Sequence, residues 1–208
     1  YHYQTSNFSI QISNLKMQKG QKIAFIGEKG CGKSTFIRIL TGLFTNYNGN
    51  IQLMGANLNE LSQQEITSKV SYMTQDFPVF DGTIYENFQI VAPQKTEQEY
   101  LRYANMVNMD QEILQMPQGL HTKISDTSLS TGQRQRISMC MILLRDTPIV
   151  IMDEPVSNLD IANKNAFNTI INKEISDKLC IVTSHDLEIL EEFDQIFKIE
   201  DGIFHLEK

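Results

Sequence analysis

The sequence predicts an α/β fold in which helices are inserted into a largely parallel sheet. Short β-forming runs alternate with helical patterns, as in chains whose strands are joined by crossover helices. The runs 149–152 and 180–182 are apolar throughout, which is typical of central parallel strands that are buried on both faces. Between about Phe77 and Met141 the β-forming pattern disappears and helical patterns replace it.

The predicted elements follow in chain order. Strands are predicted at residues 22–26, 51–54, 70–74, 149–152, 179–183 and 195–199. Apolar periodicity predicts helices at residues 35–43, 97–107 and 133–144, and a short helix is predicted to begin at Thr83. The polar stretch 45–50 is typical of a turn. Within a single domain, the predicted sheet core covers residues 1–76 and 145–208, and the helical subdomain covers 77–144.

Composition indicates a globular protein that does not bind nucleic acid. With 208 residues, 41% of them hydrophobic and 21% charged, the chain can bury one substantial core. The formal net charge of -7 argues against a nucleic-acid partner, which would require a basic face. No run approaches the roughly 18 apolar residues of a membrane span, so we expect the isolated domain to be soluble. Because the chain opens at Tyr1 in a strand-like stretch, we expect it to be a fragment of a longer protein.

The three cysteines, Cys31, Cys140 and Cys180, have neither disulfide nor zinc spacing. Their wide separation suits buried free thiols in a reducing compartment. Cys31 stands in the glycine-rich loop described next, where oxidation of a thiol near phosphate would make the protein redox sensitive. The alternative is that the loop simply tolerates a small side chain there.

A glycine-rich loop follows the first predicted strand and leads into the first predicted helix. Residues 27–34 satisfy G-x-x-x-x-G-K-[ST], the phosphate-binding loop, in the strand-loop-helix context that it requires. Its glycines let backbone N–H groups surround phosphate oxygens, and the helix N-terminus adds partial positive charge. We expect Lys33 to reach the β- and γ-phosphates of a nucleotide and Ser34 to bind Mg²⁺. The predicted nucleotide contacts are Gly27, Glu28, Lys29, Gly30, Cys31, Gly32, Lys33, Ser34 and Thr35.

Two acids, Asp153 and Glu154, follow the buried run 149–152. Asp153 could organise Mg²⁺ through water, and Glu154 could polarise an attacking water. A solvated turn is the alternative for paired acids after a strand. The phosphate-binding loop elsewhere in the chain favours the chemical interpretation.

Residues 129–136 read Leu-Ser-Thr-Gly-Gln-Arg-Gln-Arg and place a serine and a glycine at the start of a helix. Such a corner can bind an anion such as a γ-phosphate. The alternative is a structural serine N-cap on that helix. The segment resembles the L-S-G-G-Q signature motif of the ABC ATPase family, and it stands just upstream of the paired acids, as it does in that family.

Further segments resemble ABC motifs in the same order. Gln75 resembles the Q-loop glutamine, and residues 157–160, which end at Asp160, resemble the D-loop. His185, after the predicted strand 179–183, resembles the switch histidine that touches the γ-phosphate. Tyr3, with Tyr1 as the alternative, resembles the aromatic residue that stacks on adenine.

The resemblance implies a P-loop NTPase fold: a RecA-like core with a parallel sheet, an antiparallel β part and an inserted helical signature subdomain. It also implies ATP and Mg²⁺ as ligands. The implied catalytic residues are Glu154, His185, Lys33 and Gln75, the implied metal ligands are Ser34, Gln75 and Asp153, and the further implied nucleotide contacts are Ser130, Thr131, Gly132, Gln133 and Asp160.

The stretch 71–87 resembles exporter members, which run Q-D-x-x-x-F-x-G-T-I-x-E-N. The helix from Thr83 and the apolar loop 77–80 are therefore expected to receive coupling helices of a membrane domain. Two departures from the family pattern stand out. Thr131 replaces a glycine beside the expected phosphate, which would weaken ATP-driven pairing, and residues 122–128 are shorter than the usual exporter segment, with Asp126 as their one acid.

The resemblance implies a head-to-tail dimer with a second ATP-binding domain, either an identical copy or a paired subunit. It also implies a transmembrane domain, expected in the same parent chain, and a position on the cytoplasmic face of the inner membrane. The expected function is ATP hydrolysis that drives export. A non-transport ABC ATPase of DNA maintenance or translation is the alternative, and a regulatory nucleotide sensor is disfavoured because Glu154 is present.

Overall fold

In a computed structural model that describes residues 9–125 and 127–208, the chain forms ten strands and seven α-helices across those residues. The strands in chain order are β1 (Lys22–Ile26), β2 (Gln52–Leu53), β3 (Ala56–Asn57), β4 (Val70–Met73), β5 (Gly82–Thr83), β6 (Lys123–Ile124), β7 (Ile149–Asp153), β8 (Leu179–Thr183), β9 (Gln195–Glu200) and β10 (Ile203–Leu206). The helices are α1 (Lys33–Leu40), α2 (Gln63–Lys69), α3 (Ile84–Val91), α4 (Glu97–Met106), α5 (Asp110–Gln115), α6 (Thr131–Arg145) and α7 (Ile161–Thr169).

Six strands form the main sheet in the order β10-β9-β1-β8-β7-β4. All its neighbouring pairs are parallel except β10 with β9. Since the carboxyl ends of parallel strands meet at one edge, the loops that follow β1, β4, β7 and β8 lie together. The predicted α/β fold with both parallel and antiparallel pairing is confirmed.

The central strands are buried on both faces because alternate residues point to opposite sides. In β7, Ile149 and Ile151 join the cluster that contains Phe36 of α1. Val150 and Met152 join a second cluster, which continues through α6 to Phe88 and Tyr100 of the helical part. One continuous core thus connects the sheet to the helices between β4 and β7.

Several predicted boundaries need correction. The predicted strand 51–54 is only the two-residue β2, which pairs with β3 in a separate hairpin because the chain turns at Met54 and Gly55. The helical stretch is not free of β structure, since β5 pairs with β6. The first predicted helix begins two residues earlier, at Lys33, and ends at Leu40, before Gly42 with φ +71°. The division into residues 77–144 and the rest stays a prediction.

The cysteines behave largely as expected. Cys140 and Cys180 are buried, and burial raises the pKa of both thiols, that of Cys180 to about 12. Cys31 departs from the expectation because it is only half-buried, at the surface of the glycine-rich loop. Among the helices of the described residues, none has both the length and the apolar character needed to cross a bilayer.

Candidate functional site

The glycine-rich loop joins β1 to α1 at the carboxyl edge of the sheet. Gly32 is the N-cap of α1 with φ +111°, a conformation that a side chain would strain. A Cβ atom at Gly27 would lie 2.5 Å from the carbonyl oxygen of Ile199 in β9. The loop therefore runs close against β9.

Lys33 is the first residue of α1, and only 6% of its surface is exposed. Its Nζ donates to the carbonyl oxygens of Gly27 at 2.6 Å and Glu28 at 3.1 Å, and it lies 3.8 Å from Sγ of Cys31. A buried ammonium among the backbone of a phosphate-binding loop is a fixed positive charge. Phosphate oxygens fit such a site because they can accept the same hydrogen bonds.

Asp153 ends β7 and is 4% exposed. Its Oδ2 accepts from the hydroxyl of Ser34 at 3.1 Å, and its Oδ1 accepts from the hydroxyl of Thr183 at the end of β8. A hydroxyl beside a carboxylate is a donor set that suits Mg²⁺, which takes few protein ligands and completes its shell with water and phosphate oxygens. The described residues contain no group of three or more His, Cys, Asp or Glu side chains that could hold a metal.

Glu154 follows Asp153 with φ +54°, in the left-handed region. Its carboxylate Oε2 accepts from the backbone N–H of His185 at 3.3 Å, and Oε1 lies 3.0 Å from Nε2 of His185. Oε1 accepts no well-aligned hydrogen bond from the described residues, and the imidazole of His185 lies against it. The position suits a group that accepts a hydrogen bond from water.

The electrostatics of this pair follow from burial. Burial raises the pKa of Glu154, although the N–H of His185 and the charge of Lys33 oppose the increase. Burial and the charge of Lys33 lower the pKa of His185 below 6.5. Near neutral pH the imidazole is therefore uncharged, and its Nε2 can donate or accept a hydrogen bond according to the tautomer.

These side chains surround one cleft of about 530 Å³, a volume within the range of small-molecule sites. The cleft is lined by Lys29, Gly30, Gly32, Lys33, Ser34, Thr35, Gln75, Asp153, Glu154 and His185. The structure thus brings together most of the predicted loop residues, both acids, the glutamine and the histidine. Gln75 is exposed and follows β4, the edge strand beside β7.

The signature segment does not line this cleft. Ser130 is the N-cap of α6: its hydroxyl accepts from the N–H of Gln133 at 3.2 Å, and the Gln133 side chain accepts from the N–H of Ser130 at 2.9 Å. Gln133 also donates to Glu112 of α5 at 3.0 Å. Thr131 and Gly132 form the first turn of α6. The N-cap alternative thus holds structurally, and it leaves a role for this helix N-terminus in a second site open.

Two further predicted residues lie elsewhere. Asp160 caps α7 by accepting from the N–H of Asn163 at 2.9 Å, so its side chain serves the helix and does not line the cleft. Tyr3 and Tyr1, the candidates for stacking on adenine, lie outside the described residues, as does Asp126.

The predicted apolar loop 77–80 needs a correction. Phe77 is 2% exposed and belongs to the main core, whereas Phe80 is 53% exposed. Phe77 has a left-handed backbone conformation, with φ +48°, and its ring packs in the core. Only Phe80 of these two is therefore available to a partner.

Sequence reasoning missed two residues beside the site. Thr183 is fully buried, and besides its bond to Asp153 its hydroxyl accepts from the N–H of Glu154 at 3.1 Å. Gln135 of α6 is fully buried and donates to the carbonyl oxygen of Pro155. For Thr183 the available signal was a polar residue at the end of the apolar run 179–182, whereas Gln135 stands among other polar residues and gave no signal.

Comparison with known proteins gives a consistent result. The model of the ABC transporter family matches residues 10–157. A multidrug export ATP-binding/permease protein of Staphylococcus aureus strain NCTC 8325 is 31% identical over 91% of the chain, and a protein of the same description from the bovine strain RF122 is 30% identical. The chain spans about a third of the length of these relatives, 33% in both cases.

A solved structure described as a bacterial Atm1-family ABC exporter with ATP bound superposes with a TM-score of 0.85. The match covers 89% of this chain and 33% of that one at 24% identity, and it supports the fold. The family match extends over most of the described chain and includes the glycine-rich loop, the signature segment and both acids. This chain therefore belongs to the ABC transporter family and resembles its exporter-type nucleotide-binding domains.

Proposed function

We propose that this chain is the ATP-hydrolysing motor domain of an exporter. The observation that carries the proposal is the single cleft in which Lys33, Ser34, Asp153, Glu154 and His185 meet. Phosphoryl transfer depends mainly on positioning and charge neutralisation, and this set provides both. Family membership supports nucleotide binding, and the residue roles that follow are our assignments.

Each side chain has a distinct task in this proposal. Lys33 and the N-terminus of α1 hold the β- and γ-phosphates of ATP. Glu154 orients the attacking water and takes its proton, while Gln75 approaches the same water from the exposed rim of the cleft. His185 remains neutral and supports the γ-phosphate and Glu154 from the end of β8.

The metal fits the same edge of the sheet. Ser34 and Asp153 would hold Mg²⁺, since their oxygens lie 3.1 Å apart and converge on the cleft, with Gln75 as a further ligand. When bound, the ion would neutralise charge on the phosphates. Thr183 keeps Asp153 in place through the hydroxyl bond to Oδ1.

We further propose a head-to-tail dimer. The N-terminus of α6, with Ser130, Thr131, Gly132 and Gln133, lies outside the cleft of its own chain and would complete the site of a second ATP-binding domain. ATP would then bind both domains, and hydrolysis would remove contacts that only the closed pair makes. Thr131 adds a side chain at this contact and would weaken the pairing.

We propose that the surface that contacts the membrane domain lies at the exposed end of α3. A concavity of about 470 Å³ is lined by Phe80, Asp81, Glu86, Asn87, Gln89 and Ile90. Phe80 and Ile90 are 53% and 59% exposed, and such apolar side chains at a concave surface suit a protein contact. A transmembrane domain of the same parent chain would dock there and place this domain on the cytoplasmic face of the inner membrane. The relatives named as export proteins favour this function over DNA maintenance or translation.

The test is ATP hydrolysis by the purified chain with Mg²⁺, measured as phosphate release, together with its mass in solution with and without ATP. We expect turnover and an ATP-dependent dimer. Lys33→Ala should abolish both by removing the buried charge. Turnover that survives Lys33→Ala would contradict the assignment of the cleft. In the parent protein, transport that continues without hydrolysis would contradict the motor role.

A further inference from the structure

Gln135 connects the signature helix to the backbone that carries Glu154. It lies on α6 and is fully buried, although its side chain is polar. The amide Nε2 donates to the carbonyl oxygen of Pro155 and lies 3.5 Å from that of Glu154. An amide of α6 thus holds the two carbonyls that follow Asp153.

A second contact lies one helical turn earlier. A Cβ atom at Gly132 would lie 3.5 Å from the carbonyl oxygen of Asn158, which is van der Waals distance. Gly132 and Gln135 are three residues apart and therefore on one face of the helix. The first turns of α6 therefore lie along the segment 154–158.

The backbone of Glu154 is fixed from its other side by β8. Its N–H donates to the carbonyl oxygen and to the hydroxyl of Thr183, both at 3.1 Å. Its carbonyl oxygen accepts from the hydroxyl of Ser157 at 3.1 Å. Glu154 is thus held between the sheet and α6 in a left-handed conformation, with φ +54°.

We propose that Gln135 is a positioning residue that couples the two nucleotide sites of the dimer. This proposal depends on the proposed shared site, in which the N-terminus of α6 contacts the nucleotide held by the partner. Contact of that nucleotide with Ser130 shifts the end of α6, and Gln135 carries the shift to Glu154, which acts on the nucleotide of its own chain. Occupancy of each site thereby changes the position of Glu154 at the other site.

A purely structural role explains Gln135 less well. Its Oε1 is buried and has no hydrogen-bond partner among the residues that the structure describes. A buried acceptor without a partner lowers stability, so an apolar side chain of similar shape would serve packing better. Methionine has that shape and flexibility. We therefore expect Gln135→Met to fold at least as stably as the natural chain.

The experiment compares Gln135→Met with Ser138→Ala, a matched control. Ser138 lies on the same helix and is buried, and its hydroxyl has no partner among the described residues. Ser138→Ala therefore also removes a buried polar atom. We expect Gln135→Met to lower kcat and to abolish the coupling of ATP affinity between the two sites, which usually spans about 5- to 150-fold, with unchanged ATP affinity of the monomer. The Hill coefficient for ATP should fall to one, and Ser138→Ala should behave as the natural chain.

The outcomes separate this inference from the proposed function. If ATP does not dimerise the natural chain, the shared-site proposal fails, and if the dimer hydrolyses ATP without cooperativity, the coupling inference fails. If hydrolysis is cooperative and Gln135→Met keeps its kcat and Hill coefficient, the role of Gln135 is wrong while the motor function stands. A loss of kcat that is matched by a loss of melting temperature also overturns the positioning role of Gln135. Should Gln135→Met not fold, Gln135→Asn, whose amide is too short to reach Pro155, gives the same comparison.

Discussion

The imidazole Nε2 of His185 lies 3.0 Å from the carboxylate Oε1 of Glu154, although the two residues come from the ends of different strands. The contact exists because β7 and β8 are parallel neighbours, with Asp153 paired to Thr183. Acid and histidine therefore reach the same point of the cleft. This relationship makes the catalytic assignment of Glu154 open to direct test.

Glu154→Gln keeps the shape of the side chain and removes its capacity to take a proton. A general base contributes typically about 10²- to 10⁴-fold, so we expect turnover to fall by that factor. ATP binding should persist and the ATP-bound dimer should accumulate, because hydrolysis no longer separates it. Phosphate release and light scattering measure the two effects. The exposed Glu174→Gln serves as the control, and near-normal turnover of Glu154→Gln would refute the assignment.

The pH dependence of turnover should reflect the burial of Glu154. Because burial raises its pKa above 4.5, the carboxylate takes up a proton at a higher pH than an exposed glutamate. Turnover should therefore fall, as the pH is lowered, with a midpoint above 4.5. The residual activity of Glu154→Gln should not show this fall at low pH. Circular dichroism at each pH checks that the chain is folded. A fall of turnover that both proteins share would mean that another group titrates.

Substitutions at Ser130 separate capping from phosphate binding. Ser130→Ala removes the cap of α6 and should lower the free energy of unfolding by about 0.5 to 2 kcal/mol. Ser130→Asp retains a capping oxygen and should leave stability nearly unchanged, but it adds a negative charge where the partner's phosphate is expected. Urea unfolding and ATP hydrolysis measure both. An active Ser130→Asp would reduce Ser130 to a structural cap.

The two phenylalanines of the loop after β4 should respond in opposite ways. Phe77→Ala empties a buried site and should lower the free energy of unfolding by about 3 to 5 kcal/mol. Phe80→Ala, at an exposed site, should change it by less than about 0.5 kcal/mol and leave hydrolysis by the isolated chain intact. In the parent protein, Phe80→Ala should uncouple hydrolysis from transport. Equal losses of stability in urea would show that Phe80 is also a core residue.

The sequence predicted the central strands well because they are sandwiched between two apolar layers. The strands at 22–26 and 179–183 have the predicted bounds. Strand pairs of two residues, such as β5 with β6, are too short to show an alternation of apolar and polar residues, so the sequence pattern did not predict them. β10 was also missed, although Asp201 and Gly202 between apolar runs are a known hairpin signal, here with φ +48° and +78°.

The site was predictable where a motif fixes residue types at fixed spacing, as in the loop before α1. It was less so where a side chain finds its partner only through tertiary packing. Asp160 caps α7, and Phe77 is buried in the core with a backbone conformation that its residue type does not favour. Gln135 was equally invisible, since its partners are carbonyl groups twenty residues away.

The order of strands in the main sheet also has a consequence for synthesis of the chain. The neighbours of β1 are β8 and β9, so the strand that leads into the glycine-rich loop pairs with residues roughly 160 positions further along. At about 5 to 20 residues per second, the ribosome releases those partners some 10 to 30 seconds after β1. For that interval β1 stays without its two sheet neighbours. Truncated nascent chains that end before β8 should therefore be sensitive to protease throughout the glycine-rich loop that follows β1.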